Sequence, residues 1–256
     1  MPLPLANRRV LVTRGTNQAA KLSDGLRALG AMPVEVPVIE IHPPESYEPL
    51  DSALRNLDAY DWLIFTSTNS VQAFSERAAS LGVVAPPTGL RVAAVGAATA
   101  QAARDSGITV DVVPDAYVAE SLVAALQEQT AGKHVLLARA AIARDVIPDA
   151  LRSAGAIVDV VDAYQNVIPE AAPQQLRHAY ARGLDAVTFT SSSSVTHLAR
   201  AAKAAALAFP LKDVRAISIG PITTQTLRTF SWPPAAEADP HDITGLIAAV
   251  TRVLGR

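Results

Sequence analysis

Hydroxyl-rich turns stand at two equivalent places in the chain, each between an apolar run and a helical stretch. Their residues are Ser67, Thr68, Asn69, Ser191, Ser192 and Ser193. Two glycine-led turns, which include Thr99 and Thr223, join a strand to a helix in the same way. One such turn is usually a helix cap worth about 1 kcal/mol. Four of them, matched in pairs at strand ends, predict backbone N–H groups and hydroxyls that bind a ligand with several carboxylates.

Three further side chains are candidates for chemistry at strand ends. Arg14 and Arg139 occupy equivalent places just after the first strand of each half. Each is either a solvated charge or a bidentate partner for a carboxylate. Tyr164 ends an apolar β-run, where its ring either packs or gives and takes a proton in a partly closed site.

The motifs of common cofactor-dependent enzymes are missing from the sequence. It contains no G-x-G-x-x-G, no G-x-x-x-x-G-K-[ST] and no G-x-S-x-G, so nothing in it indicates a nucleotide cofactor or a serine hydrolase. The chain has no cysteine, and its five histidines show no metal-ligand spacing. We therefore predict an activity without cofactor and without metal.

Composition limits the partners and the location. The formal net charge of −2 gives no general basic field, which argues against nucleic acid as a partner. No stretch reaches the roughly 18 apolar residues of a membrane span, and the start lacks the apolar segment and cleavage site of a signal peptide. The lack of cysteine fits a reducing compartment. We expect a cytoplasmic protein that does not bind a membrane.

The elements that carry these residues form a repeat with an offset of about 124 residues. RVLVTR at 9–14 is echoed by HVLLAR at 134–139, DWLIFTSTNSV at 61–71 by DAVTFTSSSSV at 185–195, and LRVAAVGAAT at 90–99 by VRAISIGPIT at 214–223. Each half reads as strand–helix–strand–strand–helix–strand–helix–strand–helix, with small strands in TVDVVPD and AAEAD. Apolar strands that alternate with helices predict an α/β fold of parallel sheet covered on both faces, in the size class of flavodoxin-like domains.

Proline-rich breaks fall inside the repeats rather than between them. They occupy residues 43–49 and the region around 169–173, at matching points of the two halves. We interpret both as linkers. Each lobe then contains parts of both repeats instead of coinciding with one of them.

Seven short motifs follow one another along the chain: VLVTR ending at Arg14, FTSTNSV at 65–71, VGAATA at 95–100, Tyr164, FTSSSSV at 189–195, SIGPIT at 218–223 and ITGL at 243–246. In this order and spacing the sequence resembles the uroporphyrinogen-III synthase family over nearly its whole length. It departs from the family at Ile222, where Thr is frequent, and at Ser70 and Thr224, where Ala is frequent. The choice between Thr223 and Thr224 as the substrate-binding hydroxyl stays open.

The resemblance implies a fold of two flavodoxin-like, doubly wound domains joined by a two-stranded β linker, with the active site in the cleft between them. Carried over, one discontinuous domain comprises residues 1–38 with 168–256 and the other residues 46–162. The linker strands are then residues 39–45 and 163–167.

The resemblance also implies an activity. The family cyclises hydroxymethylbilane to uroporphyrinogen III, with loss of water and inversion of ring D. Tyr164 matches its proposed acid, Thr99 and Thr223 its binding threonines, and the strand-end turns its carboxylate sites. The family further implies a monomer, and we expect a transient hand-off of substrate from hydroxymethylbilane synthase. The alternative from another class is a non-catalytic, bilobal binding protein for a small polycarboxylate.

Overall fold

A computed structural model describes residues 3–83, 86–115 and 119–255 of the chain. The strands are, in chain order, β1 (Arg9–Val12), β2 (Met32–Glu35), β3 (Glu40–His42), β4 (Trp62–Phe65), β5 (Arg91–Ala94), β6 (His134–Ala140), β7 (Ile157–Val167), β8 (Ala186–Phe189), β9 (Arg215–Ser218) and β10 (Ala236–Glu237). The α-helices are α1 (Thr16–Ala28), α2 (Glu48–Arg55), α3 (Thr68–Ser80), α4 (Ala97–Asp105), α5 (Ala119–Thr130), α6 (Val146–Ser153), α7 (Ala172–Ala181), α8 (Ser192–Ala204), α9 (Pro221–Thr229) and α10 (Ile243–Leu254). A short 3-10 helix covers Leu57–Ala59.

The strands form two sheets, and the chain divides into two compact units. The first sheet has the order β10-β9-β8-β1-β2, and the second has the order β3-β7-β6-β4-β5. The first unit comprises residues 1–40 and 167–256, and the second comprises residues 41–166. The pairs β1–β2, β1–β8, β8–β9, β4–β5, β4–β6 and β6–β7 are all parallel. The predicted α/β fold of parallel sheets is therefore confirmed.

Helices cover each sheet on both faces, which explains why its strands are apolar throughout. All four residues of β4 are buried. Leu63 and Phe65 point into one hydrophobic cluster of the second unit, whereas Trp62 and Ile64 point into another. The same alternation separates Leu11 from Val10 in the first unit, as the two-residue period of a strand requires.

Equivalent strands of the two repeats occupy equivalent positions, but in exchanged sheets. In the first sheet, β1 and β2 come from the first repeat, and β8, β9 and β10 come from the second. In the second sheet, β4 and β5 come from the first repeat, while β6 and β7 come from the second. Each sheet thus combines the opening strands of one repeat with the closing strands of the other.

The interpretation of the proline-rich breaks as plain linkers was wrong in part. Helix α2 begins at Glu48 with Pro49 in its first turn, and α7 begins at Ala172 with Pro173 in its first turn. Proline is tolerated there because the N–H groups of the first turn have no partner within the helix. Both helices were missing from the predicted order of elements.

Two other local predictions need correction. The segment TVDVVPD forms only an isolated bridge between Val112 and Ala93, while its counterpart forms β10. Arg139 does not follow the first strand of its repeat but lies within β6, where the register with β7 shifts between Arg139 and Ala140. Within the described ranges, no helix is long and apolar enough to cross a bilayer.

Candidate active site

The turn between β4 and α3 is built around Ser67. Its backbone is extended (φ −160°, ψ 161°), and its side chain caps α3 by accepting from the N–H of Ser70 at 3.1 Å. The Ser70 hydroxyl accepts in return from the N–H of Ser67 at 3.2 Å. This reciprocal pair fixes the start of α3, so Thr68 and Asn69 occupy its first turn, where N–H groups point out of the helix.

Tyr164 contacts this turn from the far side of β6. Tyr164 lies in β7, where it pairs with Ala140 of β6, and β6 lies between β7 and β4. The ring is buried, with 6% of the residue exposed, and its hydroxyl lies 3.1 Å from Oγ of Ser67. The phenol and the helix cap therefore form one hydrogen-bonded unit at the carboxyl end of the second sheet.

A second turn of the same unit lies next to the first. Gly96 precedes α4 in an extended conformation and offers no side-chain cap. Strands β4 and β5 pair with Phe65 opposite Ala94, and the N–H of Val95 donates to the carbonyl of Phe65 at 3.1 Å. Thr99 is buried in the first turn of α4. Two neighbouring helix N-termini thus face the same edge of the sheet.

Arg139 is committed to its own loop. One terminal nitrogen donates to the carboxylate of Asp145 at 2.6 Å, and the other donates to the carbonyl of Arg144 at 3.1 Å. Its Nε is buried without a hydrogen-bond partner in the part of the chain that is described. The guanidinium therefore braces the turn from β6 to α6, and both of its terminal nitrogens already have hydrogen-bond partners.

The first unit repeats the hydroxyl turn. Ser191 caps α8 through the N–H of Ser194 at 3.1 Å, and the Ser194 hydroxyl bonds back. Ser192 donates to the carbonyl of Ile222 at 3.5 Å, which joins this turn to the start of α9, while Ser193 lies in the same first turn of α8. Thr223 is buried in the first turn of α9.

Arg14 follows β1 at the carboxyl edge of the first sheet and is partly buried. Burial lowers the pKa of its guanidinium from the usual value, because a charged group loses hydration there. An arginine nevertheless keeps its charge at neutral pH.

Sequence reasoning missed His241 and the partners of Thr224 at the edge of the first sheet. The imidazole of His241 lies beside Gly220, at the start of α9, and its Nδ1 is 2.7 Å from the carbonyl of Ala238. Ser218, Thr224 and Glu237 form a hydrogen-bonded set nearby. The only signal in the sequence was the adjacent pair of threonines. Across the described residues, no three His, Asp or Glu side chains come together as a metal site requires.

The fold and its turns define a class of protein: a duplicated α/β chain whose strand-end turns present hydroxyls and helix N-termini, with a buried phenol at one of them. The family model described as uroporphyrinogen-III synthase HemD matches residues 20–248. The uroporphyrinogen-III synthase of Synechococcus elongatus is 34% identical over 256 residues, which covers 96% of this chain and 96% of that protein. A putative uroporphyrinogen-III synthase of Methanothermobacter thermautotrophicus is 32% identical over 95% of this chain and 98% of its own length. The chain belongs to the uroporphyrinogen-III synthase family, whose members are cyclising lyases of tetrapyrrole biosynthesis.

Solved structures show the same fold. A mutant uroporphyrinogen III synthase from Thermus thermophilus superimposes with a TM-score of 0.73 at 20% identity, over 96% of this chain and 98% of that one. The enzyme from Helicobacter pylori gives a TM-score of 0.64 at 18% identity, over 94% and 97% of the two chains. At these identities the likeness bears on the fold alone.

Proposed function

We propose that this chain converts hydroxymethylbilane into uroporphyrinogen III, with Tyr164 as the acid. The observation that carries the assignment of Tyr164 is its hydrogen bond to Ser67 at the start of α3. A buried phenol beside a helix N-terminus lies where a substrate carboxylate and a leaving hydroxyl can be held together. Its counterpart in the first repeat, at an offset of 125 residues, is Ile39, so only one unit carries this group.

The reaction asks for modest help from the protein. The terminal hydroxyl of the substrate leaves as water when an acid donates a proton to it, and the electron-rich pyrrole supplies the electron pair that forms an azafulvene. The substituted carbon of ring D then attacks this azafulvene carbon, which closes a spiro intermediate. The bond from the same ring D carbon to the methylene shared with ring C breaks, and that methylene bonds instead to the unsubstituted carbon of ring D, which then loses its proton. The ring is thereby inverted. Tyr164 donates the first proton, and Ser67 orients its hydroxyl. Positioning of the chain contributes most of the remaining rate enhancement.

The acetate and propionate groups of the substrate are proposed to bind at the four strand-end turns. Backbone N–H groups at the starts of α3, α4, α8 and α9 suit carboxylates without adding formal charge. This explains how a chain with a net charge of −2 holds a polyanion. The residues at these turns are Ser67, Thr68, Asn69, Thr99, Ser191, Ser192, Ser193 and Thr223. Arg14 adds a positive charge at the carboxyl edge of the first sheet. Both terminal nitrogens of Arg139 already have hydrogen-bond partners. This supports a bracing role for Arg139 better than direct binding of the substrate.

The finer description of the fold is also a proposal. Numbered within the first unit, its strands lie in the order 5-4-3-1-2, which is the order of flavodoxin-like sheets. The pairing of β3 with the long β7 supports the predicted two-stranded linker. The domain limits 1–38 with 168–256 and 46–162, the monomeric state, the cytoplasmic location and the hand-off from hydroxymethylbilane synthase stay predictions. Light scattering and cell fractionation test the state and the location.

Complementation tests the function. A bacterial strain that lacks its own uroporphyrinogen-III synthase should grow without added haem when it expresses this chain. The Tyr164→Phe variant, expressed at the same level, should support slower growth. A strain that holds abundant folded protein, fails to grow and accumulates only the I isomer would favour the non-catalytic binding protein instead.

A further inference from the structure

Three polar side chains form a hydrogen-bonded chain at the carboxyl edge of the first sheet. Thr224, in α9, donates its hydroxyl proton to the carboxylate of Glu237, the last residue of β10. The Ser218 hydroxyl, at the end of β9, lies 2.6 Å from the same Thr224 oxygen. Because a threonine has one hydroxyl proton and a carboxylate only accepts, Ser218 is the donor in that second bond. The three side chains thus link the ends of two strands to the first turns of α9.

This network has no counterpart in the other repeat. At an offset of 124 residues, Ser218, Thr224 and Glu237 correspond to Ala94, Ala100 and Val113. The two alanines are fully buried at the matching edge of the second sheet. All three positions are therefore polar in one repeat and apolar in the other, which is expected of residues that act together.

The network ties α9, whose start has no side-chain cap, to the ends of β9 and β10. Gly220 precedes α9 and has no side chain to bond to the free N–H groups of the first turn, whereas Ser191 caps the neighbouring helix α8. A buried set of hydrogen bonds has defined directions, unlike apolar packing, and it holds a helix in one orientation. The Thr224 hydroxyl has its proton and one lone pair engaged, which leaves it poorly suited to bind substrate as well.

We propose that Thr224, held by Glu237 and Ser218, is a positioning residue that orients the first turn of α9 for a substrate carboxylate. This inference rests on the proposed function. Of the adjacent threonine pair, it assigns the binding role to Thr223 and the positioning role to Thr224. Loss of the network weakens binding of substrate and transition state alike, so its effect falls on KM rather than on kcat.

Steady-state kinetics with freshly prepared hydroxymethylbilane test the proposal. Thr224→Val keeps the shape and removes the hydroxyl, so both hydrogen bonds of Thr224 are lost. We expect KM to rise about fivefold, as when one hydrogen bond to the substrate is weakened, while kcat stays within about twofold. Thr224→Ser keeps the hydroxyl and should restore the wild-type KM. The matched control is Thr226→Ala in the same helix, whose hydroxyl donates only to the carbonyl of Ile222 and whose loss should leave KM unchanged.

Hydrogen exchange gives a readout that does not depend on activity. A peptide covering residues 218–229 should exchange faster in Thr224→Val than in the wild type or in Thr224→Ser. If Thr224→Val does not fold, the variant with Ser218→Ala, Thr224→Ala and Glu237→Val, which copies the apolar set of the other repeat, takes its place with the same expected KM and exchange.

Three results would overturn the proposal: an unchanged KM with unchanged exchange, a fall in kcat at constant KM, or a serine variant as impaired as the valine one. Failure of the proposed function looks different, because then the wild-type protein itself yields only the I isomer.

Discussion

The hydroxyl of Ser67 makes two hydrogen bonds, whereas that of its counterpart Ser191 makes one among the described residues. Both accept from the N–H three positions along their helix at 3.1 Å. Only Ser67 also contacts a phenol, that of Tyr164. A comparison of the two serines therefore distinguishes the effect of a helix cap on stability from the effect on catalysis of orienting an acid.

This difference predicts unequal effects of one substitution made at two places. Ser67→Ala and Ser191→Ala should each lower the free energy of unfolding by about 1 kcal/mol through loss of the cap. Ser67→Ala should in addition lower kcat by about tenfold, since the acid loses its orienting partner. Urea denaturation and isomer-resolved kinetics on both variants provide the measurements. Equal losses of kcat in the two variants would contradict the role given to the hydrogen bond with Tyr164.

Removing the acid itself should have a larger effect. Tyr164→Phe keeps the buried ring and deletes the hydroxyl, so the fold should be retained while kcat for the III isomer falls by about 100-fold, the lower end of what a general acid contributes. Tyr60→Phe is a suitable control, because the Tyr60 hydroxyl also hydrogen-bonds a side chain, that of Asp159 at 2.8 Å, on an exposed surface. An unchanged kcat in Tyr164→Phe would remove Tyr164 from the mechanism.

Residue types and order were enough to predict Ser67 and Tyr164 as separate candidates, but not their contact. The two residues are 97 positions apart, and their approach depends on β6 lying between β7 and β4. The pairing of Arg139 with Asp145 was equally invisible, because a carboxylate six residues away in a loop has no fixed direction in the sequence. Local pattern predicts turns; the order of strands determines which turns meet.

At the scale of elements, α2 and α7 show where pattern reasoning failed. Clustered prolines read as breaks, yet Pro49 and Pro173 sit in first turns that tolerate them. Helix α2 is moreover tied to α3 by a paired charge. The Asp51 carboxylate accepts two hydrogen bonds of 2.6 Å from Arg77, whose guanidinium stacks 4.1 Å from the ring centre of Tyr47. Neither the helix nor the pair follows from spacing alone.

The ion pair predicts a dependence of stability on pH. The hydrogen bonds from Arg77 lower the pKa of the Asp51 carboxyl below its usual 3.8. The stabilisation is therefore fully present above that value and is lost as the pH falls through the lower, folded-state pKa. Asp51→Asn should lower the urea midpoint at neutral pH, and the gap to the wild type should narrow on acidification towards about pH 2.

The control for this series is Asp24→Asn, because Asp24 pairs with Arg27 at 2.7 Å on the surface, with 71% of its side chain exposed. An exposed pair of this kind contributes little, so the midpoint should hardly change at any pH. A gap for Asp51→Asn that stays constant down to acid pH would mean that the ion pair is not its source.

For the whole molecule, the duplication could be predicted from the sequence. The exchange of strands between the sheets was indicated only by the proline-rich segments, which fall inside the repeats rather than between them. Matches such as Phe65 with Phe189 reveal the repeat. They do not reveal that β6 pairs with β4, since the same apolar runs would serve a sheet made within one repeat. The exchange is a matter of strand pairing, which residue types alone do not encode.

The exchange predicts which half of the chain folds alone. A fragment of residues 41–166 contains all of β4 to β6, most of β7 and both hydrophobic clusters of the second unit, so it should unfold cooperatively in urea by circular dichroism. A fragment of similar length, residues 1–124, follows the repeat and divides both sheets. It should show no cooperative transition. The opposite pattern would show that the repeat, and not the contact-defined unit, is the folding element.

The identity of the closed ring decides whether this chain is a uroporphyrinogen-III synthase or a binding protein. Freshly prepared hydroxymethylbilane is incubated with a series of protein concentrations, and the products are oxidised and separated into uroporphyrin I and III. The proposed synthase activity predicts that the fraction of isomer III rises with protein concentration until nearly all product is inverted, and that Tyr164→Phe needs much more protein to reach the same fraction. A product that stays isomer I at every concentration of folded protein would contradict it.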